Sequence, residues 1–161
     1  MNQLRNQEWL EDRLRTVWMR GFSDVTPENT VTISFGRRAR TRLGSIRLDK
    51  DKKKTRILIN RLFSRPEVPL QIVDATIAHE IVHYVHGFGS PFEQKFCTPH
   101  AGGVVTREMK ERGFGKELIF QKKWLKNEWP KFLKMHGPTP RKRRRYRKQK
   151  SLLVRLLLGS F

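Results

Sequence analysis

The chain has 161 residues, a formal net charge of +20 and a pI near 11.1. This length fits one domain with a short appendage. The charge is far from that of a near-neutral globular enzyme, and it favours a polyanionic partner such as nucleic acid or an anionic membrane surface.

The cysteine content and the N-terminus bear on the cellular compartment. The single cysteine, Cys97, excludes an internal disulfide and a cysteine-only zinc ribbon, which suits a reducing compartment. The N-terminus lacks the apolar stretch of a signal peptide, and no segment approaches the roughly 20 apolar residues of a transmembrane helix. We therefore expect a monomeric intracellular protein of the cytoplasm or nucleoid, or of the nucleus in a eukaryote.

The N-terminal part of the chain predicts one helix followed by strands. Apolar residues at helical spacing predict an amphipathic helix over residues 3–20. Residues 31–35 alternate like a half-buried strand, and two further runs at 44–48 and 55–59 flank the polar turn at 49–52. We expect a hairpin or a three-stranded meander, and hence a small antiparallel sheet.

The segment from Arg37 to Arg56 is strongly basic, with ten Lys or Arg residues against Asp49 and Asp51. Because side chains of a strand alternate between two faces, this density must make at least one face of a hairpin positive. Phosphate binding and a merely solvated sheet face are both compatible with such a run. The candidate nucleic-acid contacts in this segment are Arg37, Arg38, Arg40, Arg42, Lys52, Lys53 and Lys54.

Residues 70–86 predict a mostly buried helix, because apolar residues recur at three- and four-residue steps until Gly87. His79 and His83 lie one turn apart on one face of such a helix, so both imidazoles can reach one metal ion. Glu80 can take a proton from a water molecule bound to that metal, which is the metalloprotease spacing. The pattern predicts a zinc hydrolase. The alternative is a core helix with hydrogen-bonded histidines, which an apolar helix disfavours because buried polar groups need partners.

A catalytic zinc ion needs a third protein ligand and one open position for water. His100, in a loop bounded by Pro and Gly just before a helix, is the favoured candidate, and Glu108 or Glu111 on that helix is the alternative. His86 lies about 10 Å along the helix axis from the first histidine, so we expect it to support the ligands or line the cleft. We expect Cys97 to be a buried free thiol.

The C-terminal part predicts a helix over residues 116–135, which Pro130 kinks or splits, with aromatic side chains packed on the N-terminal helix. Residues 1–136 form the predicted domain, and 137–161 a flexible extension. The last eleven residues, 151–161, are leucine-rich and could dock on the domain, bind a partner or lie on an anionic membrane. Eight of the ten residues before them are basic, and the candidate nucleic-acid contacts there are Arg141, Lys142, Arg143, Arg144, Arg145, Arg147 and Lys148.

The order of these features resembles the SprT-like metallopeptidases, the Spartan-type family. The resemblance covers roughly residues 5–115 and includes the run Ile57 to Phe63, the pentapeptide His79 to His83, and the phrase from His100 to Gly113, which has one residue more than the family pattern. It implies an α+β fold in which a zincin-like HExxH helix packs with other helices on a small antiparallel β-sheet.

The resemblance also implies a function. By that likeness His79, His83 and His100 bind zinc, and Glu80 is the general base and later the acid. Spartan-type members cleave proteins crosslinked to DNA, and DNA binding gates access to their site. We therefore expect a zinc-dependent metallopeptidase that uses metal-bound water to hydrolyse proteins on or crosslinked to single- or double-stranded DNA. The alternatives are a nucleic-acid-binding protein with a structural or degenerate metal site and a membrane-surface protein.

Overall fold

The structure is a computed structural model that describes residues 4–139, so the basic block and the leucine-rich end lie outside the described residues. Short 3₁₀ turns occupy Arg61–Ser64 and Ala101–Gly103. The predicted α+β class is confirmed within the described range, whose helices and strands are α1 (Gln7–Gly21), β1 (Thr30–Phe35), β2 (Gly44–Leu48), β3 (Lys54–Ile59), α2 (Leu70–Val85), α3 (Val104–Glu111), α4 (Gly115–Asn127) and α5 (Trp129–His136).

The sheet is mixed, so the predicted antiparallel sheet is wrong. The hairpin of β2 and β3 is confirmed, but β1 pairs with the other edge of β3 and runs parallel to it. Ile57 at the centre has Ile33 on one side and Ile46 on the other. Residues 36–43 carry the chain across the end of β3. Alternation predicts where strands lie but not which strands pair, and the eight-residue connection is long enough to bypass a neighbour.

The helices cover one face of the sheet, and α2 lies at the centre of the fold. β3 directs Thr55, Ile57 and Ile59 into the core, and α2 packs against β2 and β3 on this side. α1 packs on β1 and on α2, where Arg13 makes a bidentate ion pair with Asp74 at 2.8 and 3.1 Å. The fold therefore surrounds α2 with other elements.

A side-chain cap and a proline set two helix boundaries that periodicity alone does not place. α1 begins at Gln7 because the side chain of Asn6 accepts a hydrogen bond from the Trp9 amide at 2.8 Å. The predicted C-terminal helix splits into α4 and α5 at Glu128. Pro130 lies in the first turn of α5, where backbone N–H groups have no hydrogen-bond partner within the helix. The missing N–H of proline therefore costs the helix no hydrogen bond.

The packing of the C-terminal helices differs from the prediction. α4 packs mainly on α2, where the Gln121 amide donates to Thr76 Oγ1 at 3.1 Å, and it meets α1 through the ion pair of Glu117 with Arg20 at 2.6 Å. On α5, Trp129 is buried with its ring 5.9 Å from that of Phe63. Phe120 is partly exposed. In residues 4–139, no helix has both the length and the apolar character needed to cross a membrane.

Candidate metal centre

α2 supplies the first two histidines of the site. Every residue of α2 from Ile72 to Val85 is buried except His79, which faces a cleft. The Nε2 atoms of His79 and His83 lie 3.0 Å apart. In a tetrahedral zinc site with Zn–N bonds of about 2.0–2.1 Å, two ligand nitrogens are roughly 3.3 Å apart. The observed spacing therefore suits two ligands of one ion.

The loop after α2 brings the third histidine to this pair. Gly87, at φ +80°, turns the chain back so closely that a Cβ there would lie 2.4 Å from the Glu93 carbonyl oxygen. The ring of His100 reaches within 5.2 Å of the His79 ring and 4.8 Å of the His83 ring, centre to centre. One ligand atom from each histidine lies within 4.8 Å of the other two, which is close enough to hold a metal ion.

The two helical histidines are neutral at pH 7. Burial, helped by the charge of His100, lowers the pKa of His79 to about 4. Burial also lowers the pKa of His83 to about 3, with smaller contributions from His79, His100 and His86. Neutral imidazole is the form that binds a metal, so these side chains need not lose protons before binding. The chemistry of the donor set fits a divalent metal ion.

Glu80 lies beside the histidine cluster in the same cleft. The cleft has a volume of about 420 Å³, and its walls come from α2, β2 and the loop that follows α2. The Glu80 side chain is buried, and burial raises its pKa to about 8 although the positive charge of Arg42 opposes the shift. This carboxyl group is therefore poised to exchange a proton near neutral pH.

The structure does not bring the alternative ligands to the cluster. Glu108 Oε2 is 2.7 Å from His86 Nε2, and Glu108 Oε1 accepts from Arg112 at 2.8 Å. Burial opposes ionisation of Glu108, but these hydrogen bonds outweigh it and lower the pKa of the carboxyl group. Glu111 is exposed, and neither glutamate belongs to a metal-sized group within the described range. The prediction of His100 over the glutamates agrees with this geometry.

Two neighbouring side chains lie elsewhere than expected. His86 is buried against Phe96 and hydrogen-bonded to Glu108, and it is not among the residues that line the cleft. Seven residues carry it back to the same helical face but further along the axis, where α3 packs. Cys97 is exposed rather than buried, because its loop lies on the surface.

The candidate nucleic-acid contacts of residues 37–54 differ in their surroundings. Arg40 is half-buried, and its guanidinium group donates to the Pro138 carbonyl at 3.1 Å. The backbone carbonyl of Arg40 accepts a hydrogen bond from Trp129 Nε1 at 2.9 Å. It thus anchors the loop to α5. The exposed members are Arg37, Arg38 and Arg42 in the loop before β2, and Lys52, Lys53 and Lys54 at the hairpin turn. The seven candidates from Arg141 to Lys148 lie beyond the described residues.

One face of the sheet is basic, as the charge density predicts. β3 exposes Lys54 and Arg56 on the face opposite the helices, and Arg47 of β2 is the cross-strand partner of Arg56. Arg56 forms an ion pair with Asp49, with Nη2 and Oδ2 2.7 Å apart, so part of the positive charge of this face is neutralised.

Sequence reasoning missed two residues that shape the cleft. Gly44 lies so close to Glu80 that a Cβ there would be 2.5 Å from Glu80 Oε1. The buried side chain of Asn60 holds the loop that leads to Gly44. No local pattern identifies Gly44, since its importance comes from the approach of β2 to α2. Asn60 does stand in the run from Ile57 to Phe63 that carries the family resemblance.

Comparison of the chain with protein-family models, with curated proteins and with solved structures gave no match. The likeness to SprT-like metallopeptidases therefore remains an expectation from motifs.

Replacing His100 with Ala should weaken zinc binding by more than the roughly 10–100-fold that loss of a residue supporting a ligand costs, because a direct ligand is removed. Glu108→Gln keeps the shape of its side chain and should leave zinc affinity within about threefold of wild type. Competition titration with a chromophoric chelator measures both affinities. A larger loss in Glu108→Gln than in His100→Ala would contradict this ligand assignment.

Zinc binding at pH 7 should release a proton from Glu80. The pKa of about 8 leaves the metal-free carboxyl group mostly protonated, whereas pKa values of about 4 and 3 leave His79 and His83 already neutral. A nearby cation favours the carboxylate, so wild type should release about one proton more than Glu80→Gln. Calorimetry in buffers of different ionisation enthalpy measures the difference, and equal release by both proteins would contradict this expectation.

Proposed function

We propose that the protein is a zinc-dependent metallopeptidase that acts on proteins bound or crosslinked to DNA. The observation that carries this proposal is the meeting of His79, His83, His100 and Glu80 in one cleft. Three imidazoles suit zinc, and three protein ligands facing a cleft leave a fourth position for water or substrate, as in catalytic sites. A structural zinc site would be closed by a fourth protein ligand.

The side chains have separate roles in this mechanism. His79, His83 and His100 would hold the zinc ion, which when bound supplies Lewis acidity toward a water molecule and a carbonyl oxygen. Glu80 accepts the proton of the attacking water and later donates a proton to the leaving amine, as one group acting first as base and then as acid. Its burial keeps it out of competition with bulk solvent.

The cleft suits an extended segment rather than a folded surface. Its volume of about 420 Å³ accommodates a short stretch of chain. Ile46 and Phe88 provide apolar lining, and the Gln94 side chain provides a carbonyl oxygen, since its Nε2 atom already donates to the Phe96 carbonyl at 2.6 Å. An unfolded or locally opened part of a substrate protein is therefore the form that reaches Glu80.

The basic loop supports the assignment to a polyanion-bound substrate. Arg37, Arg38 and Arg42 are exposed, and Arg42 stands two residues before Gly44, which lines the cleft, so the end of this loop lies beside the cleft. A nucleic acid held there by phosphate contacts would raise the local concentration of any protein attached to it. The net charge of +20 agrees with such a partner.

A nucleic-acid-binding protein with a structural metal site is the second candidate, and the same positive charge favours it. A structural metal site gives no reason for Glu80 to be buried beside the histidines. Burying this carboxyl group costs desolvation free energy, and no structural partner offsets that cost. The third possibility, a membrane-surface protein, depends on residues 141–161, which lie outside the described part of the chain.

Glu80→Gln should abolish proteolysis while DNA affinity stays unchanged and zinc is still bound, with an affinity about tenfold or more lower at pH 7 because the carboxylate that favours the ion is absent. Gln has the same shape but cannot accept a proton, and loss of general acid–base catalysis costs about 10²–10⁴-fold in kcat. The assay is cleavage of a protein crosslinked to a DNA oligonucleotide, read on denaturing gels, with metal content and DNA affinity measured on the same samples. Wild-type protein with bound zinc that cleaves no DNA-bound protein would overturn the proposed function.

DNA binding should depend on the exposed arginines of the loop. Replacing Arg37, Arg38 and Arg42 together with Ala should reduce the slope of log Kd against log salt by about 0.7–0.9 for each lost phosphate contact. Replacing Lys122, Lys123 and Lys126 on α4 removes the same charge from another element and is the matched control. Equal effects of the two triple variants would mean that charge alone, and not this loop, binds DNA.

A further inference from the structure

The side chain of Asn60 ties together the loop that precedes β2. Its Nδ2 atom donates to the carbonyl oxygens of Ala39 at 2.7 Å and Arg42 at 2.8 Å. Its Oδ1 atom accepts from the amides of Ala39 at 3.3 Å and Leu62 at 3.1 Å. The side chain is buried, so these bonds do not compete with solvent.

The backbone of Asn60 extends this arrangement toward the cleft. Its amide donates to the Leu43 carbonyl at 2.8 Å, and Leu43 immediately precedes Gly44. One buried residue therefore fixes the backbone of the loop at three points, the last of them next to β2. Asn60 itself is not among the residues that line the cleft.

Gly44 forms the wall against which the Glu80 carboxyl group lies. A Cβ at Gly44 would be 2.5 Å from Glu80 Oε1 and 3.0 Å from Thr76 Cγ2, so one of these two side chains would have to move. Thr76 is fixed by hydrogen bonds with the Ile72 carbonyl and the Gln121 amide. A hydrogen atom fits this space, whereas a methyl group would displace the carboxyl group of Glu80.

We propose that Asn60 is a positioning residue for Glu80, acting through the loop backbone and Gly44. The inference rests on the proposed function, because it assigns a partner to the general base of that site. The metal ligands do not depend on this loop, since α2 and the segment after Gly87 place the histidines. Loss of the Asn60 hydrogen bonds therefore displaces the carboxyl group of Glu80 and leaves the three histidine ligands in place.

The chain supplies a matched control for each of the two residues. Asn29 also uses its side chain to join segments, donating to Lys52 O and Thr55 Oγ1 at 3.0 Å and accepting from Tyr84 at 3.0 Å. It lies at the other end of the sheet. Gly36 is the control for Gly44, because a Cβ there makes only ordinary contact, with Leu58 Cβ at 3.4 Å.

The experiment compares Asn60→Asp and Gly44→Ala with Asn29→Asp and Gly36→Ala in the zinc-loaded full chain. Asn60→Asp keeps the side-chain shape but turns an oxygen toward two carbonyl oxygens. We expect both test variants to lose about 10²-fold in kcat, the cost of a misplacement near 1 Å, with KM and zinc affinity within about threefold of wild type. Both controls should keep kcat within about threefold, whatever their unfolding temperatures.

Cobalt substitution gives a readout that does not need turnover. The visible spectrum of bound Co²⁺ at fixed pH responds to its ligands and their hydrogen-bonded neighbours, so Asn60→Asp and Gly44→Ala should shift it in the same direction as Glu80→Gln. Both controls should match wild type. Full kcat and an unshifted spectrum in Gly44→Ala, or equal kcat losses in Asn60→Asp and Asn29→Asp, would overturn the proposal.

Failure of the proposed function gives a different result. Wild-type protein that binds Co²⁺ but cleaves no substrate would remove the peptidase assignment, and the spectra would still test the link from Asn60 to Glu80. Wild-type protein that binds neither Co²⁺ nor Zn²⁺ would overturn both. If Asn60→Asp does not fold, Asn60→Ser replaces it in both measurements, because its short hydroxyl cannot reach the Ala39 and Arg42 carbonyl oxygens together and adds no charge. Gly44→Ala tests only the last step, from Gly44 to Glu80.

Discussion

The burial of α2 is the constraint on which the rest of the structure depends. This helix is enclosed by the sheet and by other helices, yet it carries Glu80, His83 and the half-buried His79. Burying ionisable groups costs free energy unless they are neutral or paired. All three pKa values shift toward the neutral form, as that cost requires. A divalent cation held by the histidines would offset part of the cost, so metal binding and stability are coupled.

The environments of the acidic side chains separate structural roles from a catalytic one. Asp74 is buried but held by Arg13 in a bidentate pair, and Glu108 is bonded to His86 and Arg112. For Glu80, only the charge of Arg42 opposes the effect of burial, and the pKa of the carboxyl group rises to about 8. A buried carboxyl group without a hydrogen-bonded cation retains its proton near neutral pH, which suits an acid–base group and not a structural one.

The sequence predicts those parts of the fold and site that depend on local spacing. The period of α2, the shared face of His79 and His83, and the stop at Gly87 all follow from residues within one helix and its end. The order of strands does not, because β1 could pair with either partner and the deciding contacts lie far apart in sequence. Glu108 has the right chemistry for a ligand, and only its pairing with His86 and Arg112, set by the packing of α3, removes it.

The two halves of the site belong to separate parts of the chain. The metal ligands come from α2 and the loop that Gly87 turns back, whereas the space around Glu80 is set by Gly44 and the loop held by Asn60. Packing of β2 against α2 joins these halves, and neither half forms a local motif by itself. A substitution in the Asn60 loop can therefore leave the metal in place and remove proton transfer. A metal-binding assay alone would not detect such a loss, so retention of the histidine cluster is weaker evidence for activity than the cluster together with Gly44.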